Sequence, residues 1–172
     1  MKNLKVVALS LFVAAFGFNV HAQKNKTVVE NAIASKDHTT LVAAVTAAGL
    51  VETLSGKGPF TVFAPTNEAF TKLPTGTVET LLKPENKAML QAVLTYHVIA
   101  GSLDSKAVVA AIKKGNGTAT VTTVQGGKLK ASLSGKNVIL TDEKGNTSTI
   151  VAVDIISSNG IIHVIDSVVL PN

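Results

Sequence analysis

The chain has no cysteine, no tryptophan, no arginine and a single tyrosine, and each gap closes off a kind of chemistry. Without cysteine there is no thiol nucleophile, no thiolate metal ligand and no disulfide, so core burial alone must hold the fold. Without arginine, phosphates and guanine edges can be met only by lysine, a flexible point charge rather than a rigid fork. The 16 lysines are scattered, with Lys113-Lys114 and Lys128/Lys130 as the densest groups. That spread describes a solvated surface, and no nucleic-acid partner is expected. The G-x-S-x-G and H-E-x-x-H patterns are also missing. Gly115 and Gly117 lack the third glycine of a dinucleotide loop, and Gly49 and Gly56-Lys57 are wrongly spaced for a phosphate loop. His38, His97 and His163 do not pair at metal-ligand spacing. The expectation is a protein that is not an enzyme and has no cofactor and no metal site.

What is present begins with an export signal. Lys2 and Lys5 precede an apolar run, Val6 to Phe18, interrupted only by Ser10 and Gly17, and Val20-His21-Ala22 ends it with a small residue. The pattern predicts a signal peptide over residues 1–22, cleavage after Ala22 and a mature start at Gln23. The run is too short for a membrane anchor of ~20 apolar residues. The product is therefore expected to be secreted, periplasmic or on the cell surface, with no transmembrane segment. Loss of Lys2 and Lys5 leaves fourteen lysines against eleven acids, a net charge of +3. Asn25, Asn116 and Asn146 each open an N-x-[ST] triplet, read here as turn chemistry.

Periodicity then divides residues 23–172, one expected domain, into two halves. The first is helical. Thr27 caps Val28–Ser35, with Val28, Val29, Ala32 and Ile33 inward. Thr39 or Thr40 caps a helix through Ala48, where Leu41, Val42, Val45 and Ala48 form one stripe and Gly49 stops it. Phe60–Ala64 is a strand ended by Pro65, and Thr66 or Asn67 caps a short helix. Thr77 caps the next. A helix from Glu85 to Thr95 buries Met89, Leu90, Val93 and Leu94. Tyr96–Ile99 is expected as a strand, and Ser102 or Asp104 caps a last helix. After Gly115-Asn116-Gly117 the period changes from 3.6 to 2, giving strands at Thr118–Val124, Lys128–Leu133, Val138–Thr141, Thr147–Asp154 and Ile161–Leu170. In the second of these Leu129, Ala131 and Leu133 point inward. Helices before strands predict an α+β fold, a mixed or antiparallel sheet package covered by helices on one side.

Three ordered segments carry a family resemblance: Gly58–Phe70 (GPFTVFAPTNEAF), Leu94–Ile99 (LTYHVI) and Asn159–Pro171 (NGIIHVIDSVVLP). Together they resemble the fasciclin domain over roughly Thr27 to Asn172. The resemblance implies a β-sandwich wedge with a helical layer on one side. It makes Phe60, Thr61, Phe63, Pro65, Thr66, Asn67, Phe70, Asn159, Gly160, His163, Val164 and Asp166 signature residues of the fold. It also implies a non-catalytic role in cell adhesion or extracellular matrix contact, with an extracellular protein or polysaccharide as partner. The family's tyrosine–histidine and Asp-Ile contact segments match Tyr96, His97, Asp154 and Ile155. Animal segments carry Glu-Pro before that aspartate, where this chain has Ala152-Val153, and no RGD tripeptide occurs. Integrin recognition is therefore not expected. Tyr96 and His97 stand open between two roles, contact surface and packing pair. From another class, an apolar pocket between helices and sheet would make the chain a carrier of a small apolar ligand or lipid, and an exposed carboxylate touching His163 would make it a hydrolase.

Overall fold

A computed structural model describes residues 25–172. The expected leader, its cleavage after Ala22 and the start at Gln23 lie outside these residues. The first helix, α1 (Val28–Ala34), is capped by Thr27, whose side chain accepts from the Glu30 N–H while the Glu30 carboxylate accepts from the Thr27 N–H. This reciprocal box satisfies two otherwise orphaned donors. A 3-10 turn at Lys36–His38 leads into α2 (Thr39–Ala48), which Gly49 closes in the left-handed conformation at φ 70°. Then come α3 (Val51–Ser55), β1 (Phe60–Pro65), α4 (Asn67–Thr71), α5 (Thr77–Leu81), α6 (Lys87–Tyr96), β2 (Val98–Ala100) and α7 (Ser105–Lys114). Five strands complete the chain: β3 (Thr118–Thr122), β4 (Lys128–Ser134), β5 (Asn137–Thr141), β6 (Thr147–Ser157) and β7 (Gly160–Ile165).

The seven strands hydrogen-bond in the order β2-β1-β7-β6-β5-β4-β3. Only β1 and β7 run parallel, with Phe63 opposite His163; the other pairs are antiparallel. The long strand β6 passes from one sheet to the other through two irregularities, between Ile150 and Ala152 and between Ala152 and Ile155. Bulges of this kind bend a strand and increase its twist. The two ends of the sheet approach each other where the Val124 N–H donates to the Val98 carbonyl at 2.7 Å. The result is a nearly closed wedge.

Its two faces make two cores. Phe60, Val62 and Ala64 of β1, with Ile162 of β7, face α1, α2, α3 and α6, where Leu41, Ala48, Leu90 and Leu94 are buried. The alternate residues Phe63 and Ile165 face the other sheet and pack with Tyr96, Ile112, Leu129, Leu140 and Val169. A helical layer on one side of a sandwich is the architecture expected from the sequence. Gly160 is required by the close approach of β1 and β7, since a Cβ there would lie 2.2 Å from the Phe60 carbonyl oxygen.

Several local expectations give way to tertiary contacts. Tyr96 is the last residue of α6 and not part of a strand, and His97 is its C-cap. The final strand stops at Ile165, and Val168 and Val169 are buried in irregular chain beyond it. Ile33, Met89 and Leu133 are exposed rather than inward. The N-cap positions of α2 and α5 are His38 and Gly76, not Thr39, Thr40 or Thr77.

Candidate functional site

Asn67 and Asn159, both within the segments that carry the resemblance, connect distant parts of the chain. Asn67, the first residue of α4, accepts at Oδ1 from the Thr40 N–H (2.9 Å) and the Thr39 hydroxyl (3.1 Å), and its Nδ2 donates to the Lys36 carbonyl (2.9 Å). It thereby supplies the cap that α2 lacks locally, across 27 residues of sequence. Thr66 caps α4 by accepting from the Ala69 N–H. The Asn159 side chain accepts from the Val28 N–H and donates to the Leu54 and Gly56 carbonyls, tying the start of α1 and the end of α3 to the β6–β7 turn. Asn67→Ala is expected to cost about 1–3 kcal/mol, since each donor or acceptor left without a partner carries a desolvation penalty. Urea unfolding reads this as a lower midpoint at constant slope.

A second cluster holds the chain between β2 and α7. The Thr61 hydroxyl donates to the Gly101 carbonyl and accepts from the Leu103 N–H. His163, fully buried and stacked on Phe63 at 5.8 Å between centroids, donates from Nε2 to the Leu103 carbonyl at 2.7 Å. Its Nδ1 accepts from the Asp154 N–H at 3.4 Å. The Asp154 carboxylate accepts from the Ser105 N–H and the Ser105 hydroxyl, while Asp104 accepts from the Ala107 N–H. Two carboxylates thus meet the positive end of α7. Asp154 has a positive φ of 58° at the bulge in β6, a left-handed conformation that aspartate tolerates better than most residues. Ser105, Asp154 and His163 are neighbours, but not in a relay. The imidazole meets the backbone N–H of Asp154, the carboxylate meets the serine, and Nε2 is occupied by a carbonyl. A hydrolytic base would need the imidazole beside the serine hydroxyl.

Tyr96 and His97 lie inside the second core and at its edge. The Tyr96 hydroxyl donates to the Lys128 carbonyl (2.7 Å) and accepts from the Glu143 N–H (3.2 Å), and burial pushes its phenol pKa up. His97 Nδ1 donates to the Val93 carbonyl (2.8 Å), and Nε2 accepts from the Val169 N–H (3.3 Å). Burial holds its pKa down at about 4, against smaller opposing effects of the Val93 carbonyl and the Asp142 charge. Both side chains are buried in the folded chain. His38 is also buried. Its Nδ1 meets the Ser35 hydroxyl, its Nε2 meets no partner at full hydrogen-bond geometry among the described residues, and desolvation lowers its pKa against smaller opposing effects of the Ala64 backbone and the Asp37 charge. Asp166 sits at the opposite end of β7. Burial opposes its ionisation, but the Thr149 N–H, the Ser167 and Ser148 hydroxyls and Lys72 outweigh it and lower its pKa.

One residue of this set has no counterpart among the sequence expectations. Asp142, buried after β5, accepts from the N–H groups of Lys144, Asn146 and Leu170 and from the Asn146 amide. The Asp142–Asn146 segment is legible as a turn, but its link to Leu170 spans 28 residues.

The surface differs around the Asp-Ile segment. Val151, Val153 and Ile156 of β6 are 57%, 47% and 42% exposed. Ile155 is half-buried and lines a cleft of about 310 Å³ with Ala64 and Ile162, and Ile156 borders a wider, open cleft of about 860 Å³ next to Pro59. The apolar cavity under α1, α2 and α3 measures about 50 Å³. That is well short of the ~300 Å³ at which ligand pockets begin.

Residues 36–171 match the fasciclin domain family, and the chain belongs to that family. It is 48% identical over 149 residues to protein sll1483 of Synechocystis sp., covering 84% of this chain and 73% of that one. It is 40% identical over 131 residues to the transforming growth factor-beta-induced protein ig-h3 of Sus scrofa, covering 76% of this chain but 17% of that protein. A solved FAS1 domain pair from the insect cell adhesion molecule fasciclin I superimposes with a TM-score of 0.74 at 17% identity. The match covers 86% of this chain and about half, 51%, of that one, and it shows the shared fold.

Proposed function

We propose that this chain is an exported, non-catalytic module that attaches to an extracellular protein or polysaccharide surface through the middle of β6. The observation that carries this reading is the exposure of Val151, Val153 and Ile156 together, beside the Asp154-Ile155 segment. Strand residues with apolar side chains are normally spent on a core, and a contiguous exposed group marks a contact surface. The bulges explain how it forms: two irregularities within six residues break the alternation, so consecutive residues 151–153 all face outward. The clefts lined by Ile155 and Ile156 give a partner concave ground next to those residues. Support from relatives is of the same kind, since the solved neighbour comes from a cell adhesion molecule. Tyr96 and His97 act from behind, by fixing the core against which the sheet is built. Among the described residues no helix is long and apolar enough to cross a membrane. Export rests on the leader-like segment of the sequence.

The test keeps the fold while changing the surface. Val151→Thr with Val153→Thr conserves side-chain shape and strand propensity. The pair should melt within about 2 °C of the parent, as surface changes usually do. Retention on immobilised matrix and surface-polysaccharide fractions should fall by about tenfold, the scale of a few buried methyl groups. Retention equal to the parent's would sink the assignment.

A further inference from the structure

The outer face of the four-stranded half of the sandwich has a different composition from the rest of the surface. β3, β4 as far as Ser132, β5 and the first part of β6 alternate, with Ala119, Leu129, Ala131, Leu140, Ser148 and Ile150 inward. Their outward residues fall into register as rows. One row runs Thr120, Lys130, Thr141, Thr147 across the four strands. The next runs Thr118, Ser132, Ile139, Thr149. Lys128 stands opposite Thr122 at the end of the face. No outward residue of these strands is aspartate or glutamate. Among the described residues no side-chain ion pair engages Lys128 or Lys130, though the Glu143 carboxylate accepts from the Lys128 N–H at 2.9 Å at the end of the face; the ion pair found is Lys72–Asp166, on another part of the molecule. With strands ~4.8 Å apart, each row spans about 14 Å.

We propose that this face binds an acidic polysaccharide, one carrying uronate or sulfate groups. Serine and threonine hydroxyls both donate and accept, as sugar hydroxyls do, so a row of them can pair with a chain of sugars in more than one register. Lys128 and Lys130 supply the two positive charges that a neutral glycan would not use. Charge complementarity therefore selects the acidic polymer. A nucleic acid fits less well, because the face offers no aromatic ring for base stacking and no arginine. A protein partner would want an apolar centre, and Ile139 alone does not make one. The face ends at Thr149, two residues before Val151 on the same strand, and the proposal rests on the rows of β3, β4 and β5 whether or not the middle of β6 binds anything.

Binding of the purified chain to alginate, a polyuronate, is measured beside neutral dextran and duplex DNA at low and at physiological salt. Alginate should bind, weaken as salt rises and exceed both other polymers. Lys128→Gln with Lys130→Gln should weaken alginate binding about tenfold, the scale of two exposed ion pairs. Lys57→Gln with Lys83→Gln changes the net charge equally on another part of the molecule and should change it by less than about twofold. Thr120→Val with Thr141→Val keeps the strand shape, so melting should stay constant while binding falls about threefold. Absence of alginate binding, equal losses in the two lysine pairs, or DNA bound as well as alginate would each overturn the proposal.

Discussion

Replacing Tyr96 with alanine will lower the stability of this domain by about 3–5 kcal/mol, the range for removing a large aromatic side chain from a core. The ring has no exposed surface and sits among the largest fully buried side chains of the protein. Its neighbours are committed to it. A Cβ on Gly127 would lie 2.7 Å from the ring, so the turn between β3 and β4 is shaped around the tyrosine. The hydroxyl bridges the Lys128 carbonyl and the Glu143 N–H, joining the β3–β4 turn to the β5–β6 turn from the end of α6. Truncation leaves a cavity and two backbone groups without their partner. At roughly 2–4 °C per kcal/mol for a domain of this size, the melting temperature should drop by about 10 °C. Tyr96→Phe separates the two parts: it keeps the ring and should cost about 1–2 kcal/mol for the lost hydrogen bonds alone. If Tyr96→Ala melted like the parent yet lost surface attachment, the residue would be a contact and not a keystone.

How much of this was legible beforehand depends on how far each contact reaches along the chain. Thr27 before α1, Asp104 before α7 and Gly49 after α2 are local devices, each readable from residues within a few positions, whereas the Glu30 half of the Thr27 cap is added by the structure. The change of period after Gly115-Asn116-Gly117 marked where helices give way to sheet, and the alternation of β4 named Leu129 and Ala131 correctly. The misplaced boundaries involve partners far away. Tyr-His-Val-Ile carries strand-forming residues, but His97 turns its Nδ1 back to Val93, four residues earlier, and Tyr96 is fixed by Lys128 and Glu143. Val168 and Val169 have the pattern of a strand, yet the chain leaves the ladder after Ile165, where Asp166 takes the Thr149 N–H with its side chain. Thr66 and Asn67 are equal candidates for the cap of their own helix; Thr66 takes that place, and the Asn67 side chain caps another helix instead. The exposed stretch of β6 was hidden for the same reason. Bulges are set by pairing with β7, and a run of Val, Ala and Ile gives no sign that three consecutive side chains will face water.

The strongest expected effect of solution conditions comes from His97, and its direction follows from the geometry. The imidazole donates to the Val93 carbonyl and accepts from the Val169 N–H, so a second proton on Nε2 would set a donor against a donor. Burial adds to this, and the folded-state pKa is held at about 4 against an ordinary value of 6.5. Between those two values the unfolded chain binds a proton that the folded chain refuses. Stability is therefore fully present above about pH 6.5, falls as the pH drops, and levels off below about pH 4 as far as this residue is concerned. A difference of this size corresponds to about 3 kcal/mol. His38, whose pKa burial also lowers, acts in the same direction. Asp166 acts in a separate window: its lowered pKa makes its contribution fade only below the ordinary carboxylate range. Urea midpoints of the parent should thus decline between pH 7 and pH 4, while His97→Gln, less stable at pH 7, should show a shallower slope over that interval. Equal slopes in the two proteins would remove His97 as the cause. The first bond lost on protonation is the one to the Val169 amide, so hydrogen exchange at Val169 should speed up before the sheet itself opens, because that amide is what secures the chain beyond β7 to the end of α6.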